Sequence, residues 1–380
     1  MSKKSLSIVV MSLLVIPFII STASAKTLKI GSMSPLTGPY ASDGTDIKNG
    51  VLTAIEVFEQ QEGPIPGYDK IELFPQDTVC DPRQAVAAAN KLINLEVVGV
   101  IGAYCSSSTI PASETLNEAK IVMITPASTN EQVTDRGLPY MFRMCGRDDD
   151  QAPAAARFIK ESLNAKTIFI IDDKTTYSQG LADGVSKNAK AIGLNVVNHD
   201  HVNQGDKDFS AVLTKVKAAN PDILYMSLQG YSPAALMTIQ AKRMGITSQI
   251  VTQDAVFQPK YMEVAKDTSE GVYLTYGFTD PTTPEYKAFE AKYVPKYGKI
   301  AAYATYAYDS TIALLKAIKA AGSTDADKIK AELMKLDFKG ASKHVKFKEN
   351  GDSGSSYIAF KVEKGEFVPY WDPATGLIKK

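Results

Sequence analysis

The feature that most restricts this chain is an alternation. Over residues 27–277, short apolar runs take turns with longer amphipathic ones. TLKIGSMSP, IELFPQDT, VVGVIGAY, IVMITP, TIFIIDD, NVVNHDHV, DILYMSL, QIVTQ and GVYLTYG read as strands. Between them lie helix-spaced stretches: DPRQAVAAANKLIN with Pro82 in its first turn, QAPAAARFIKESLN, QGLADGVSKNAKAIG and PAALMTIQAKRMG. A strand that is apolar along its whole length is buried on both faces, so helices must cover both sides of parallel sheets. Right-handed crossovers then give a doubly wound α/β architecture. The first helix is expected over residues 46–60. Over residues 283–336 the pattern changes to consecutive helices around AYATYAYDSTIALLKAIKAAG. The tail, VKFKENGDSGSSYIAFKVEKGEFVPYW, reads as antiparallel strands with a turn at Lys364 and Gly365.

Before this pattern begins, MSKKS supplies a positive start, LSIVVMSLLVIPFII an apolar stretch, and Ala23-Ser24-Ala25 a small-residue cleavage site. These are the parts of a secretory signal peptide covering residues 1–25 and cleaved after Ala25. The 355 residues that follow exceed one ordinary core and call for two domains. Without Lys3 and Lys4, 40 basic residues face 42 acidic ones, which favours neither nucleic acid nor an anionic membrane. Three cysteines in an exported chain point to one disulfide and one leftover thiol. Cys80 and Cys105 both follow strand runs that end on the same sheet edge, so they are the expected pair, worth about 3 kcal/mol in the chain-entropy view. Cys145 is expected to be buried. His199, His201 and His344 are scattered and no Cys/His grouping has zinc spacing, so neither metal nor cofactor is expected.

Ligands of open α/β sheets bind beyond the carboxyl ends of strands. That rule selects SPLTGPYASDG, AYCSSST, TPASTN, DDKTTYSQG, LQGYSP and TQDAV, loops rich in Ser, Thr, Tyr and Asp and poor in Lys and Arg. Such a rim suits a small polar or zwitterionic molecule better than a phosphate. The four hydroxyls from Ser106 to Thr109 open a helix, where backbone N–H groups lack partners and anions are welcome. GDSG at residues 351–354 echoes the nucleophile segment of trypsin-like proteases, but that chemistry needs an oriented base beside the serine. Its flanks read as a hairpin. No GxSxG, GxxxxGK[ST], HExxH or CxxC occurs, so an enzyme is not expected. Tyr303, Tyr306 and Tyr308, at partly helical spacing, are expected to pack.

CDPRQAVAAANKLIN, YCSSSTIPAS, VMITPAST, RDDDQAP and the late FKENGD, in this order, resemble the branched-chain amino-acid-binding proteins of Gram-negative ABC importers, over nearly the whole chain after the leader. The resemblance implies a type I periplasmic binding protein: two doubly wound parallel-sheet lobes joined by a three-strand hinge. Lobe 1 is expected to comprise residues 26–147 and 277–357, and lobe 2 residues 148–276 and 358–380. It also implies a periplasmic, monomeric protein that hands an amino acid to an inner-membrane permease with cytoplasmic ATPases. By the same resemblance Ser106 and Thr129 hold the ligand carboxylate, the Ala127 carbonyl with the Thr129 hydroxyl takes its ammonium together with Asp254, and Ser128 belongs to the same ligand-binding set. Asp148, Tyr177 and Tyr231 close over it, Tyr40 and Tyr104 line the side-chain pocket, and Cys80 and Cys105 match the family's pair. Three departures stand out: Asp254 replaces a longer Glu, Tyr104 a Leu, and Ala301 a pocket Phe. An amide, urea derivative or aromatic acid, or a sensory role, is the alternative.

Overall fold

The computed structural model describes residues 26–378, so the expected leader lies outside the described residues. A first sheet holds β1 (Thr27–Ser34), β2 (Lys70–Asp77), β3 (Gly99–Gly102), β4 (Val122–Thr125) and β5 (Met141–Arg143). All are parallel, in the order β2-β1-β3-β4-β5. The second sheet begins with five parallel strands, β6 (Thr167–Asp172), β7 (Asn195–His201), β8 (Ile223–Ser227), β9 (Gln249–Thr252) and β10 (Tyr273–Gly277). The chain then returns to the first body as helices Pro284–Tyr297, Ala304–Ala321 and Ala326–Leu333 and a ribbon of β11 (Asp337–Lys339) and β12 (His344–Lys346). It crosses once more, so that β13 (Tyr357–Glu363), β14 (Glu366–Asp372) and β15 (Gly376–Leu377) extend the second sheet antiparallel, in the order β15-β14-β13-β10-β9-β8-β6-β7.

The continuous apolar strands are explained by cores on both faces. Along β4, Val122 and Ile124 face one cluster and Met123 the other; along β8, Ile223 and Tyr225 face one and Leu224 and Met226 the other. Period-two alternation with both faces covered leaves these strands mostly apolar, with polar residues such as Thr125 and Ser227 at their carboxyl ends. Each such aliphatic side chain contributes roughly 1.5–3 kcal/mol of burial, which is why neither sheet tolerates an uncovered face.

Two local expectations are corrected. The first helix runs Ala41–Gln61, starting earlier than residue 46, because its polar first turn carries no apolar period to reveal it. GDSG is not a hairpin: β12 pairs with β11, β13 with β10 and β14, and the segment between them runs beside the end of β5. There the Arg143 N–H donates to the Gly351 carbonyl at 2.9 Å, and the Ser353 N–H to the Arg143 carbonyl at 3.1 Å. Local composition cannot show so distant a partner. Cys80 and Cys105 are joined, with Cα atoms 5.5 Å apart. Cys145 is buried and free, and burial pushes its thiol up to about 12.

Candidate functional site

Strand order reverses between β1 and β3 in the first sheet and between β6 and β8 in the second. Crevices open at such reversals, beyond the carboxyl ends of the strands. The loops leaving these four strands carry Tyr40, Tyr104 with Ser106, Tyr177, and Gln229 with Tyr231. The two bodies are closed on one another. Hydrogen bonds that cross between them include Asn130 Nδ2 to the Thr176 carbonyl (3.2 Å), Gln204 Nε2 to the Tyr40 phenol (3.2 Å), Gln258 Nε2 to Asp43 Oδ1 (3.1 Å), the Tyr303 phenol to Asp254 Oδ2 (3.2 Å), and the Tyr276 phenol to the Ala302 carbonyl.

Between the bodies lies a cavity of about 180 Å³, lined by Tyr104, Ser106, Ala127 and Tyr303 from one side and Tyr177, Gln229 and Ala255 from the other. A wider groove of about 1170 Å³, along Asn49, Gln258 and Tyr293, lies outside it and is open to solvent. Among the residues lining the small cavity, Tyr104 has a phenol that is buried without a hydrogen-bond partner. The Asp254 carboxylate is buried, 2.6 Å from the Tyr177 phenol. Both oxygens of Asp148 are buried, with the buried Thr129 hydroxyl beside them. Burial raises the pKa of Asp254 and of Asp148, and in Asp148 the nearby charge of Asp254 adds to it. Desolvated carboxylates of this kind are stabilised by a cation brought to them. Opposite them, the helix Ser106–Glu118 begins at Ser106, and the first N–H groups of a helix have no acceptor within it.

A buried charge network holds the Thr125–Asn130 loop in place. Arg143 is fully buried, and its Nε donates to Asp352 Oδ1 at 2.7 Å. Its Nη1 donates to the carbonyls of Ser128 (3.2 Å) and Asn130 (2.7 Å), and its Nη2 to Thr134 Oγ1 (2.7 Å). Arg147 reaches the second oxygen of Asp352 at 2.9 Å. Asp352 belongs to GDSG, whose serine is equally committed: the Ser353 hydroxyl lies 3.0 and 2.9 Å from the carbonyls of Arg143 and Met144, and Lys343 Nζ donates to it at 2.6 Å. The segment straps the end of β5.

The expected site residues divide into three groups. Tyr104, Ser106, Ala127 and Tyr177 line the cavity, and Asp254 bonds to two of its phenols. Thr129 and Asp148 are buried beside one another, the Asp148 N–H donating to the Thr129 carbonyl at 3.0 Å. The Ser128 hydroxyl is engaged by Thr109 Oγ1 (2.6 Å) and the Tyr104 carbonyl (3.0 Å), so it shapes the loop. Tyr40 and Tyr231 stand outside the cavity. The Tyr40 ring packs 6.3 Å from that of Tyr104, and a side chain on Gly230, where φ is +90°, would meet it at 2.9 Å. Tyr231 is half-buried at the start of its helix. Ala301 is corrected: it lines the outer groove, and Tyr303 occupies the cavity wall. Tyr303, at the N-cap of its helix, packs as expected, with its ring 5.4 Å from that of Tyr104, and also forms part of the cavity wall. Tyr306 and Tyr308 pack too, the latter with its ring 5.0 Å from Phe289. Gln229 and Ala255 went unmarked although their loops lie on the rim.

A family model described as periplasmic binding protein matches residues 27–366. An amino acid binding protein of Pseudomonas aeruginosa is 36% identical over 354 residues, 92% of this chain and 94% of that protein. The chain belongs to the periplasmic binding protein family. A leucine-, isoleucine-, valine-, threonine- and alanine-binding protein of the same organism is 35% identical, over 87% of this chain and 88% of that one. The crystal structure of a leucine binding protein from Thermotoga maritima superposes with a TM-score of 0.85 at 31% identity, covering 91% of this chain and 99% of that one. The fold is that of a type I periplasmic binding protein.

Closure of this periplasmic binding protein places an acid where it is costly to ionise. Burial pushes Asp43 up to about 7 against the hydrogen bond from Gln258, and Asp46 and Asp309 up to about 6. An acid raised in the folded state keeps its proton there while the unfolded chain has released its own. Its contribution is therefore whole below about pH 4 and is lost as pH climbs through about 7. Asp43→Asn should flatten the fall in melting temperature between pH 6.5 and 7.5, where Asp46 and Asp309 are already largely ionised. Melting curves across that range check it; an unchanged slope refutes the assignment to Asp43.

Proposed function

We propose that this protein captures a neutral L-amino acid, aliphatic and branched, in the crevice and delivers it to an inner-membrane ABC permease from the periplasm. The observation that carries this reading is the pairing of two buried carboxylates whose pKa burial raises, Asp148 and Asp254, with the Ser106 helix start and the buried Thr129 hydroxyl. A zwitterion leaving water needs both charges met, and charge-assisted bonds at each end fix its orientation. The ammonium lies toward Asp254, Asp148 and the Ala127 carbonyl, and the carboxylate toward Ser106 and Thr129. The cavity is lined from both bodies, so a guest held there touches both of them. Its aromatic wall of Tyr104 and Tyr303, with centroids 5.4 Å apart, receives the side chain. The named ligands of the 35%-identical relative support the same class.

The lobes are residues 26–147 with 277–357 and 148–276 with 358–380. The acid stands on one and the anion-binding helix start on the other, so ligand favours the closed state by bonding to both. Ligand-free protein should melt higher with leucine, isoleucine or valine, by about 2.7 kcal/mol of linkage at a hundredfold excess over Kd. A thermal-shift panel of the twenty amino acids checks this; no shift with any of them overturns the reading.

A further inference from the structure

Two of the three histidines, scattered in the sequence reading, converge in space. Asp172 ends β6, and His199 and His201 lie two apart on the neighbouring edge strand β7. Residues two apart on a strand share a face. The register sets His201 opposite Asp172 and His199 opposite Ile170, so both rings reach one carboxylate from the same side. His199 Nε2 and His201 Nδ1 each lie 2.7 Å from Asp172 Oδ2, and the three ligating atoms fall within 4.8 Å of one another. We propose that Asp172, His199 and His201 form a binding site for a divalent transition cation of the zinc class, separate from the amino-acid crevice.

The donor chemistry fits that class. Two imidazole nitrogens and one carboxylate oxygen are ligands that Zn²⁺, Ni²⁺ and Cu²⁺ accept, with a fourth position left to water. One of the supports expected around such ligands is in place and a second stands near. Asp172 Oδ1 accepts the Lys174 N–H at 2.9 Å, which fixes the carboxylate, and Asp183 Oδ1 stands 3.7 Å from His199 Nδ1, on the ring nitrogen the metal does not use. Asp172 is buried while His199 and His201 are 18% and 38% exposed, so a cation has a path in. Around a tetrahedral zinc the ligand atoms sit roughly 3.3 Å apart. The rings must therefore retreat by about 0.6 Å, which exposed side chains on an edge strand can do. A cation held here ties β7 to β6 and, through Asp172 and Lys174, steadies the loop leading to Tyr177. Without metal, the same atoms make two ordinary imidazole–carboxylate hydrogen bonds, and the experiment must separate these cases.

The test is calorimetric titration of ZnCl₂ into tag-free, chelator-stripped mature protein, with anomalous diffraction at the zinc edge on crystals of the same material. Saturable binding of one ion is expected, with an anomalous peak within about 2.0–2.2 Å of all three ligand atoms. The double variant His199→Gln/His201→Gln, with its fold checked by circular dichroism, should lose that binding. Asp183→Asn should weaken it on the order of tenfold. Absence of saturable heat, an undiminished double variant, or an anomalous peak elsewhere overturns the proposal. Should the double variant fail to fold, the position of the peak in the parent protein decides.

Discussion

Replacing Asp254 by Asn should abolish amino-acid binding at micromolar ligand while leaving the ligand-free protein as stable as before, or more so. The two effects have opposite signs for one reason. In the free protein the carboxylate is buried beside a second acid, Asp148, and its pKa is raised by that burial. Asparagine keeps the shape and can still accept from Tyr177 or Tyr303, whose phenols lie 2.6 and 3.2 Å away, without the cost of a desolvated charge. In the proposed complex the same change would leave the ligand's ammonium facing a neutral amide. Losing one partner of a buried, hydrogen-bonded charge pair costs roughly 2–5 kcal/mol, from about thirtyfold to several-thousandfold in Kd. Calorimetric titration with leucine and ligand-free melting curves of the two proteins measure both halves. Unchanged affinity would show that the guest carries no cation at this position.

Asp352→Ala should be the most damaging single change outside the crevice. It strands the fully buried Arg143 guanidinium without its carboxylate and removes a partner of Arg147. Breaking a buried ion pair from one side costs about 3–5 kcal/mol, or roughly 6–20 °C in melting temperature for a domain of this size. The Arg143 contacts to the carbonyls of Ser128 and Asn130 loosen with it, so leucine affinity should fall as well. Asp149→Ala is the control. Its bridge to Arg147 is half-exposed, and such pairs contribute about 0–1 kcal/mol. The double replacement Arg143→Met/Asp352→Leu should recover much of the lost stability, since apolar packing can replace a buried pair. A melting temperature for Asp352→Ala within 2 °C of the parent would remove Arg143 from the set of structural supports.

Much of the candidate site was legible because it rests on local signals. Rim loops follow strands, so Tyr104, Ser106, Ala127 and Tyr177 could be placed from strand ends and a resemblance, and the structure gathers those four around one cavity. What escaped depended on direction or on distance. Tyr303 packs in the core as its spacing suggests, but its share in the cavity wall could not be read from that spacing. The Ser128 hydroxyl looks available in TPASTN, yet Thr109 and the Tyr104 carbonyl consume it.

The sequence by itself determined the layered α/β architecture, the closing antiparallel strands and the pairing of Cys80 with Cys105, because burial on both faces and strand-end position leave their mark residue by residue. Only the tertiary structure decided that GDSG straps β5 through Asp352 and that His199 and His201 share Asp172. Those contacts join segments tens to hundreds of residues apart, and their geometry is set by sheet register and chain crossings that no local pattern encodes.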